Sequence, residues 1–406
     1  MLGFCAPVAA PAAPLKDTDW PQWRGPARDG QAAGVAWGDS LQTNHLRQLW
    51  SVPLAPGYSG ALVIGDRVFT TETKAKQTEI VRALDRATGK ELWQANWEGA
   101  ISVPFFAKSS GDWIRATPAC DGDSLFVAGM RDVLVCLDCA TGKEKWRVDF
   151  VKELKAPVPD FGFVSSPLLD GEFLFVQAGA SVVKLKKSTG EIVWRGLPDG
   201  GGMMGSAFSS PILASLAGQR QLIVQTREKL AGLDPASGKV LWTQPVEAFR
   251  GMNILTPVVF GESVFTSTYG GKTIAFKVTR EGDAFTVAPA WTHKAQGNLT
   301  TPVVVGPYAY LQLRNQRALC LDLRTGEEKW MTEKGFGKYW SLVANGDRIL
   351  ALDERGLLFL LRANPEKFDV VDQRKLSDAD SWAHLAVSGR DLYVRELNAL
   401  VAYRFE

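Results

Sequence analysis

The sequence predicts an all-β protein, an eight-bladed β-propeller of four-stranded antiparallel blades whose ring is closed by an N-terminal strand pairing with the C-terminal blade. Three observations predict it. A segment of the form Leu-Asp-x-x-Thr-Gly-x-x-x-Trp recurs along the chain, a Ser/Thr-Pro motif precedes the copies, and the 406 residues hold 39 Gly and 14 Trp but only 3 His. Recurrence at a period of about 50 residues marks a stack of similar units, none of which buries its apolar faces alone.

Taken in order, residues 1–17 begin MLGFCAPVAAPAAPL, with small residues at Ala9-Ala10 and Ala12-Ala13 that suit signal-peptidase cleavage but no positively charged start. They read as a truncated export signal. Phe4 stands where a small residue precedes a lipidated cysteine, which speaks against an anchor at Cys5. Residues 18–43 form an N-terminal extension, and residues 44–406 form the propeller. The first repeat copy runs from Leu84-Asp85 through Thr88-Gly89 to Trp93. Further copies run from Leu137-Asp138 to Trp146, Leu185-Lys186 to Trp194, Leu233-Asp234 to Trp242 and Leu321-Asp322 to Trp330. Thr117-Pro118, Ser166-Pro167, Thr256-Pro257 and Thr301-Pro302 each precede an apolar run, a Gly-bearing turn and a second apolar run.

Each unit therefore reads as strands A to D, with Gly supplying the positive φ that tight hairpins need. The Ser/Thr-Gly turn joins C to D, and the Trp fills the space between one sheet and the next. Counting blades by this docking aromatic gives Trp50, Trp93, Trp146, Trp194, Trp242, Trp291, Trp330 and, in a degenerate blade, Phe368. Blade five has a longer C–D turn around Arg280-Glu281-Gly282-Asp283, and blade seven carries Asn364-Pro365 in place of the motif. The last three strands, from Ser381 to Glu406, lack a strand D, and the unattached strand His45–Val52 supplies it. Seven blades with a stray strand is the alternative count.

Charge and motif content exclude several functions. Lys+Arg number 46 and Asp+Glu 44, so no basic excess meets nucleic acid. No apolar run reaches the roughly 18–20 residues of a membrane helix, and the chain reads as soluble. His-Glu-x-x-His, Gly-x-Ser-x-Gly and a phosphate loop are absent from the sequence. Cys136 and Cys139 form a C-x-x-C without a second such pair, and in a strand they lie about 10 Å apart on opposite faces. Isolated buried or turn thiols are expected. Cys136 and Cys320 hold equivalent places in opposite blades and cannot pair.

The repeat is similar to the tryptophan-docking motif of the PQQ-like (pyrroloquinoline-quinone repeat) propellers, over residues 44–406. The compact blades and short loops resemble the BamB-like branch. Upstream, Asp19-Trp20-Pro21-Gln22-Trp23-Arg24-Gly25-Pro26-Ala27-Arg28-Asp29-Gly30 resembles the N-terminal signature of exported PQQ-like repeat proteins. The resemblance implies a monomer in the periplasm or secreted, a non-catalytic module that binds protein partners in the cell envelope or a small ligand in its funnel, and no cofactor. It also implies an alternative, a PQQ- and calcium-dependent quinoprotein dehydrogenase with its cofactor on the propeller axis. The chain departs from those enzymes in having no Cys-Cys pair and none of their long inserted loops. No catalytic residue or metal ligand is assigned.

In this architecture the residues just before or at the start of strand A line the channel mouth. The candidates are Arg115, Phe163, Ser165, Phe208, Asn253, Thr300, Tyr339, Trp340, Trp382 and His384. The stretch Gly200-Gly201-Gly202-Met203-Met204-Gly205 is expected over the same mouth, with Met203 and Met204 as an adaptable surface.

Overall fold

The computed structural model describes residues 14–99, 101–203, 205 and 207–406. Among them, every strand belongs to one of eight four-stranded antiparallel sheets. The first blade comprises Leu62–Ile64, Arg67–Lys74, Thr78–Asp85 and Glu91–Glu98, here strands A to D. Its inner strands are buried on both faces and its strand D is largely exposed, so the apolar runs fall inside and the alternating run outside. The eighth blade takes Ala386–Ser388, Asp391–Arg395 and Ala399–Phe405 from the C-terminus and Leu46–Pro53 from the N-terminus. Leu46 pairs with Phe405 and Pro53 with Ala399 across that closure.

The repeat motif has a local cause in each blade. Asp85 Oδ1 accepts hydrogen bonds from Thr88 N (2.8 Å) and Thr88 Oγ1 (2.6 Å), and Asp138 does the same for Thr141. The side chain thereby folds the C–D turn, and the Gly that follows takes the left-handed conformation. A bulge between strands C and D lies beside the Trp, as at Cys136/Leu137, and turns the indole towards the next blade. There its Nε1 donates to a turn carbonyl: Trp50 to Arg86 (2.9 Å), Trp93 to Cys139 (3.1 Å), Trp146 to Lys187 (2.8 Å), Trp194 to Pro235 (3.3 Å), Trp291 to Leu323 (2.9 Å) and Trp330 to Asn364 (2.8 Å).

Two blades depart from the pattern. Trp242 faces a blade whose C–D hairpin is drawn out to Glu281 and Ala284, and it bonds Gln221 of its own blade at 2.7 Å. Phe368 is not the docking aromatic of blade seven. It packs edge-on against Trp330 at 5.5 Å, and the residue beside the bulge is Asp372. Blade eight has no C–D turn to dock on, because its two outer strands are the chain's two ends. Asp372 instead accepts from Leu41 N (2.7 Å) and Ser40 Oγ (3.3 Å), holding the N-terminal segment across that gap.

Cys136 and Cys320 pair across the sheet with Trp146 and Trp330 and lie apart, as equivalent positions require. Cys139 is not isolated: its Sγ lies 3.0 Å from that of Cys120, and both residues are buried.

Candidate functional site

Around the axis the Ser/Thr of the Ser/Thr-Pro motif is a fastener between blades. Gly60 N donates to Thr117 Oγ1, Thr117 N to Ser166 Oγ, Ser166 N to Ser210 Oγ, Ser210 N to Thr256 Oγ1 and Thr256 N to Thr301 Oγ1, all at 3.0–3.1 Å. Five consecutive blade junctions are joined by one repeated bond. His384 takes the equivalent place in blade eight.

Two residues before each of these, a second ring of side chains faces the axis. Tyr58, Arg115, Val164, Phe208, Ile254, Leu299, Tyr339 and Trp382 line a cavity of about 550 Å³ with the fastener ring beneath them. Blades three to six give it an aliphatic and phenyl wall. Blades seven, eight and one give an aromatic wall, with Tyr339 stacked on Trp382 (6.1 Å, 12°) and Tyr58 tilted against Trp382 at 6.2 Å. Arg115, Lys338 and Asp380 bring charge to the lining.

The candidates from the sequence divide by register. Arg115, Phe208, Tyr339, Trp382 and His384 line the cavity. Ser165, Asn253, Thr300 and Trp340 sit one residue out of that register and are buried between or within blades. Asn253 Nδ2 donates to Arg227 O, and Trp340 packs on Phe336 at 4.6 Å. Phe163 lies in the core of blades two and three. The glycine stretch folds against blade three: Asp199 Oδ1 accepts from Gly201 N at 2.8 Å, and Met203 is 44% exposed away from the cavity. Met204 lies outside the described residues. Of the four ring residues missed, Val164, Ile254 and Leu299 stand two places before a Ser/Thr-Pro pair, a spacing that signals them, whereas Tyr58 stands two places before Gly60 and carries no such signal.

The N-terminal extension closes one end of the cavity. Trp23 forms the floor and meets His384 edge-on at 5.8 Å. The segment is tied to the inner strands of several blades. Trp20 pairs with Val63, Pro21 O accepts from Cys120 N, and Gly30 O accepts from Ala344 N. Arg24 donates to the carbonyls of Thr301, Pro302 and Asp29, and Arg28 to those of Ser166 and Pro167. Burial holds both guanidinium groups below their ordinary range, Arg24 at about 10 and Arg28 at about 9, yet both remain cations at neutral pH. Burial, with the Arg24 charge beside it, holds His384 down at about 3, so its imidazole is neutral and its Nδ1 bonds Leu385 O. Burial likewise pushes the Tyr339 phenol up to about 12.

At the other end, the D–A loops carry apolar side chains into solvent. Phe105 is 83% exposed, and Phe106, Val158, Met203 and Phe249 are also exposed, on four successive loops. Phe105, Phe106, Phe161 and Phe208 form a chain of edge-on contacts at 5.4–6.3 Å from this rim into the cavity wall.

Two buried carboxyls brace the B–C turns of blades two and three. Glu79 accepts from Trp97 Nε1 (2.6 Å) and Met130 N (2.7 Å), and Asp132 accepts from Gly179 N (2.7 Å). Burial pushes each up to about 7, against the opposing hydrogen bonds, and for Glu79 also against the Arg147 charge. The folded chain then keeps protons that the unfolded chain has lost above its ordinary carboxylate range, so stability falls as pH rises towards about 7. Glu79→Gln is expected to flatten that decline, and thermal unfolding compared at pH 5 and pH 8 (about one and about four units above the ordinary carboxylate range) checks it.

Among the described residues no group of three or more His, Cys, Asp or Glu is gathered as a metal site. A calcium-bound quinone needs several oxygen ligands, and Asp380 is the single carboxylate among the described lining residues. The residues present do not fit that group. Among the described residues no helix is long and apolar enough to cross a membrane.

Comparison with known proteins agrees with this architecture. A family model described as outer membrane protein assembly factor BamB matches residues 77–332. The protein of that name from Moranella endobia is 22% identical over 322 residues, 75% of each chain. The one from Yersinia pestis is 23% identical over 263 residues, 61% of this chain and 63% of its own. Among solved structures, BamB from Moraxella catarrhalis superposes with a TM-score of 0.65 at 16% identity, over 89% of this chain and 98% of that one. A europium-containing methanol dehydrogenase superposes at 0.56 and 13% identity, over 96% and 98%. At such identities the structural likeness speaks for the fold alone.

Proposed function

The chain belongs to the family of outer membrane protein assembly factor BamB, and on that premise we propose that it is an exported, non-catalytic binding scaffold that docks an envelope protein on the apolar rim of its ring. The observation that carries this reading is the set of exposed apolar side chains on the D–A loops, with Phe105 and Phe106 at its centre. Large apolar side chains on adjoining loops of a rigid frame mark an interaction surface. Phe105 and Phe106 sit together on the loop between blades one and two, which the Gly60–Thr117 bond joins. The named relatives are assembly factors, which supports a protein partner. Their location and export carry over to this chain as part of the proposal.

A photo-crosslinking residue at Phe105 or Phe106 is expected to capture an envelope protein in cells, and one at Val193 on the outer strand of blade three is not. Capture at Val193 alone, or at none of them, overturns the reading. The dehydrogenase alternative is checked separately by thermal unfolding with PQQ and calcium. Ligand at about 100 times its dissociation constant stabilises a fold by roughly 2.7 kcal/mol. The expected result is an unchanged melting temperature, and an upward shift that requires calcium transfers the site to quinone chemistry.

A further inference from the structure

We propose that Cys120 and Cys139 are the two halves of an intramolecular disulfide within blade two, formed when the chain meets a disulfide oxidant. Cys120 ends strand A (Ala119–Cys120) and Cys139 follows strand C (Val133–Asp138), so neither residue faces the other along a hairpin. Their sulfurs meet over the intervening A–B turn at 3.0 Å. That is closer than the roughly 3.5–4.0 Å at which non-bonded heavy atoms rest, and about 1 Å from the roughly 2.05 Å of a disulfide.

The backbones on both sides are pinned in this arrangement. Cys120 N donates to Pro21 O at 2.8 Å, and Cys139 N donates to Asp123 O at 2.9 Å. Cys139 O takes the Trp93 indole of the preceding blade at 3.1 Å. The two residues are thus brought together by hydrogen bonds of their backbones to three other segments of the fold. Among the described residues the remaining thiols, Cys136 and Cys320, are buried in blades two and six and have no sulfur beside them.

The chemistry balances with an oxidant of the disulfide class, such as glutathione disulfide or an oxidoreductase in its disulfide form. The thiolate of Cys139 attacks the oxidant's sulfur and releases one thiolate. The thiolate of Cys120 then displaces the second from the mixed disulfide. The protein loses two protons and two electrons, and the oxidant's disulfide becomes two thiols. Because Cys120 and Cys139 are buried, exchange takes place as the blade closes or as its turn opens. The finished bond would staple strand A, the docking turn that receives Trp93 and, through Pro21, the N-terminal plug.

The test is peptide mapping without reduction after the full chain is refolded through mixtures of reduced and oxidised glutathione. The expected result is one linked pair of peptides carrying Cys120 and Cys139, with Cys136 and Cys320 alkylated as thiols. The oxidised chain should also melt several degrees above the reduced one. Cys136→Ser should leave the linked pair in place, and Cys139→Ser should abolish it. The proposal is overturned if Cys120 and Cys139 both stay alkylatable at the most oxidising mixture, or if each ends on glutathione or on another cysteine. The outcome does not depend on the rim or its partner, so this proposal and the scaffold reading stand or fall separately.

Discussion

Gly142→Ala is expected to destabilise the propeller by about 3 kcal/mol or more, and Gly65→Ala by only about 1 kcal/mol. Both glycines have positive φ, +72° and +56°, so both substitutions carry the strain of a left-handed backbone. They differ in what a methyl group would meet. At Gly142 it would stand 2.4 Å from Cε3 of Trp93, whereas at Gly65 nothing lies within 4 Å. Trp93 cannot withdraw cheaply, because its Nε1 is bonded to Cys139 O and its ring packs on Phe69 at 5.9 Å. Overpacking costs about 1–3 kcal/mol and a lost hydrogen bond about 1 kcal/mol more, on top of the backbone strain. Denaturant midpoints of the two variants, measured side by side, check the difference. Equal losses would mean that the tryptophan docking contributes little and that the glycine is needed only for its turn.

That pair also shows why the blades were legible in the sequence. The Asp–Thr–Gly turn is made by hydrogen bonds spanning three residues, and the Trp lies a fixed distance beyond it, so motif and mechanism share one short segment. Where the motif decays the reading failed. Phe368 is the nearest aromatic to the expected place, but the bulge that defines the position falls at Asp372. The cavity was half legible for a related reason. Side chains alternate along an extended segment, so a slip of one residue exchanges the axis for the blade interior. Arg115 and Phe208 stand in the register that faces the cavity, and Ser165 and Thr300 in the other. The contacts of Arg24 and Cys139 join residues that no local pattern relates, 277 apart for Arg24 and Thr301 and 19 apart for the two thiols.

Arg24→Ala is expected to cost about 3 kcal/mol and to release the N-terminal plug from the ring. Arg24 is 1% exposed, and its two terminal nitrogens satisfy the carbonyls of Thr301, Pro302 and Asp29. Hydrogen bonds to a charged donor contribute about 1.5–3 kcal/mol each, and water entering the emptied site returns part of that. Arg24→Lys keeps the charge but cannot span three carbonyls with one ammonium, so it should recover little of the loss. The decisive readout is local. If the guanidinium is the main tie, Trp23 leaves the cavity floor, its fluorescence shifts to the red, and proteases cut between residues 14 and 43 while the blades stay folded. If the segment stays protected at reduced global stability, the paired backbone of Trp20 with Val63 and of Gly30 with Ala344 holds the plug, and Arg24 serves to satisfy the inner strands. The first outcome makes the blind end of the cavity depend on one side chain. The second makes it a property of the whole extension, whose backbone then acts as an added strand segment across the axis.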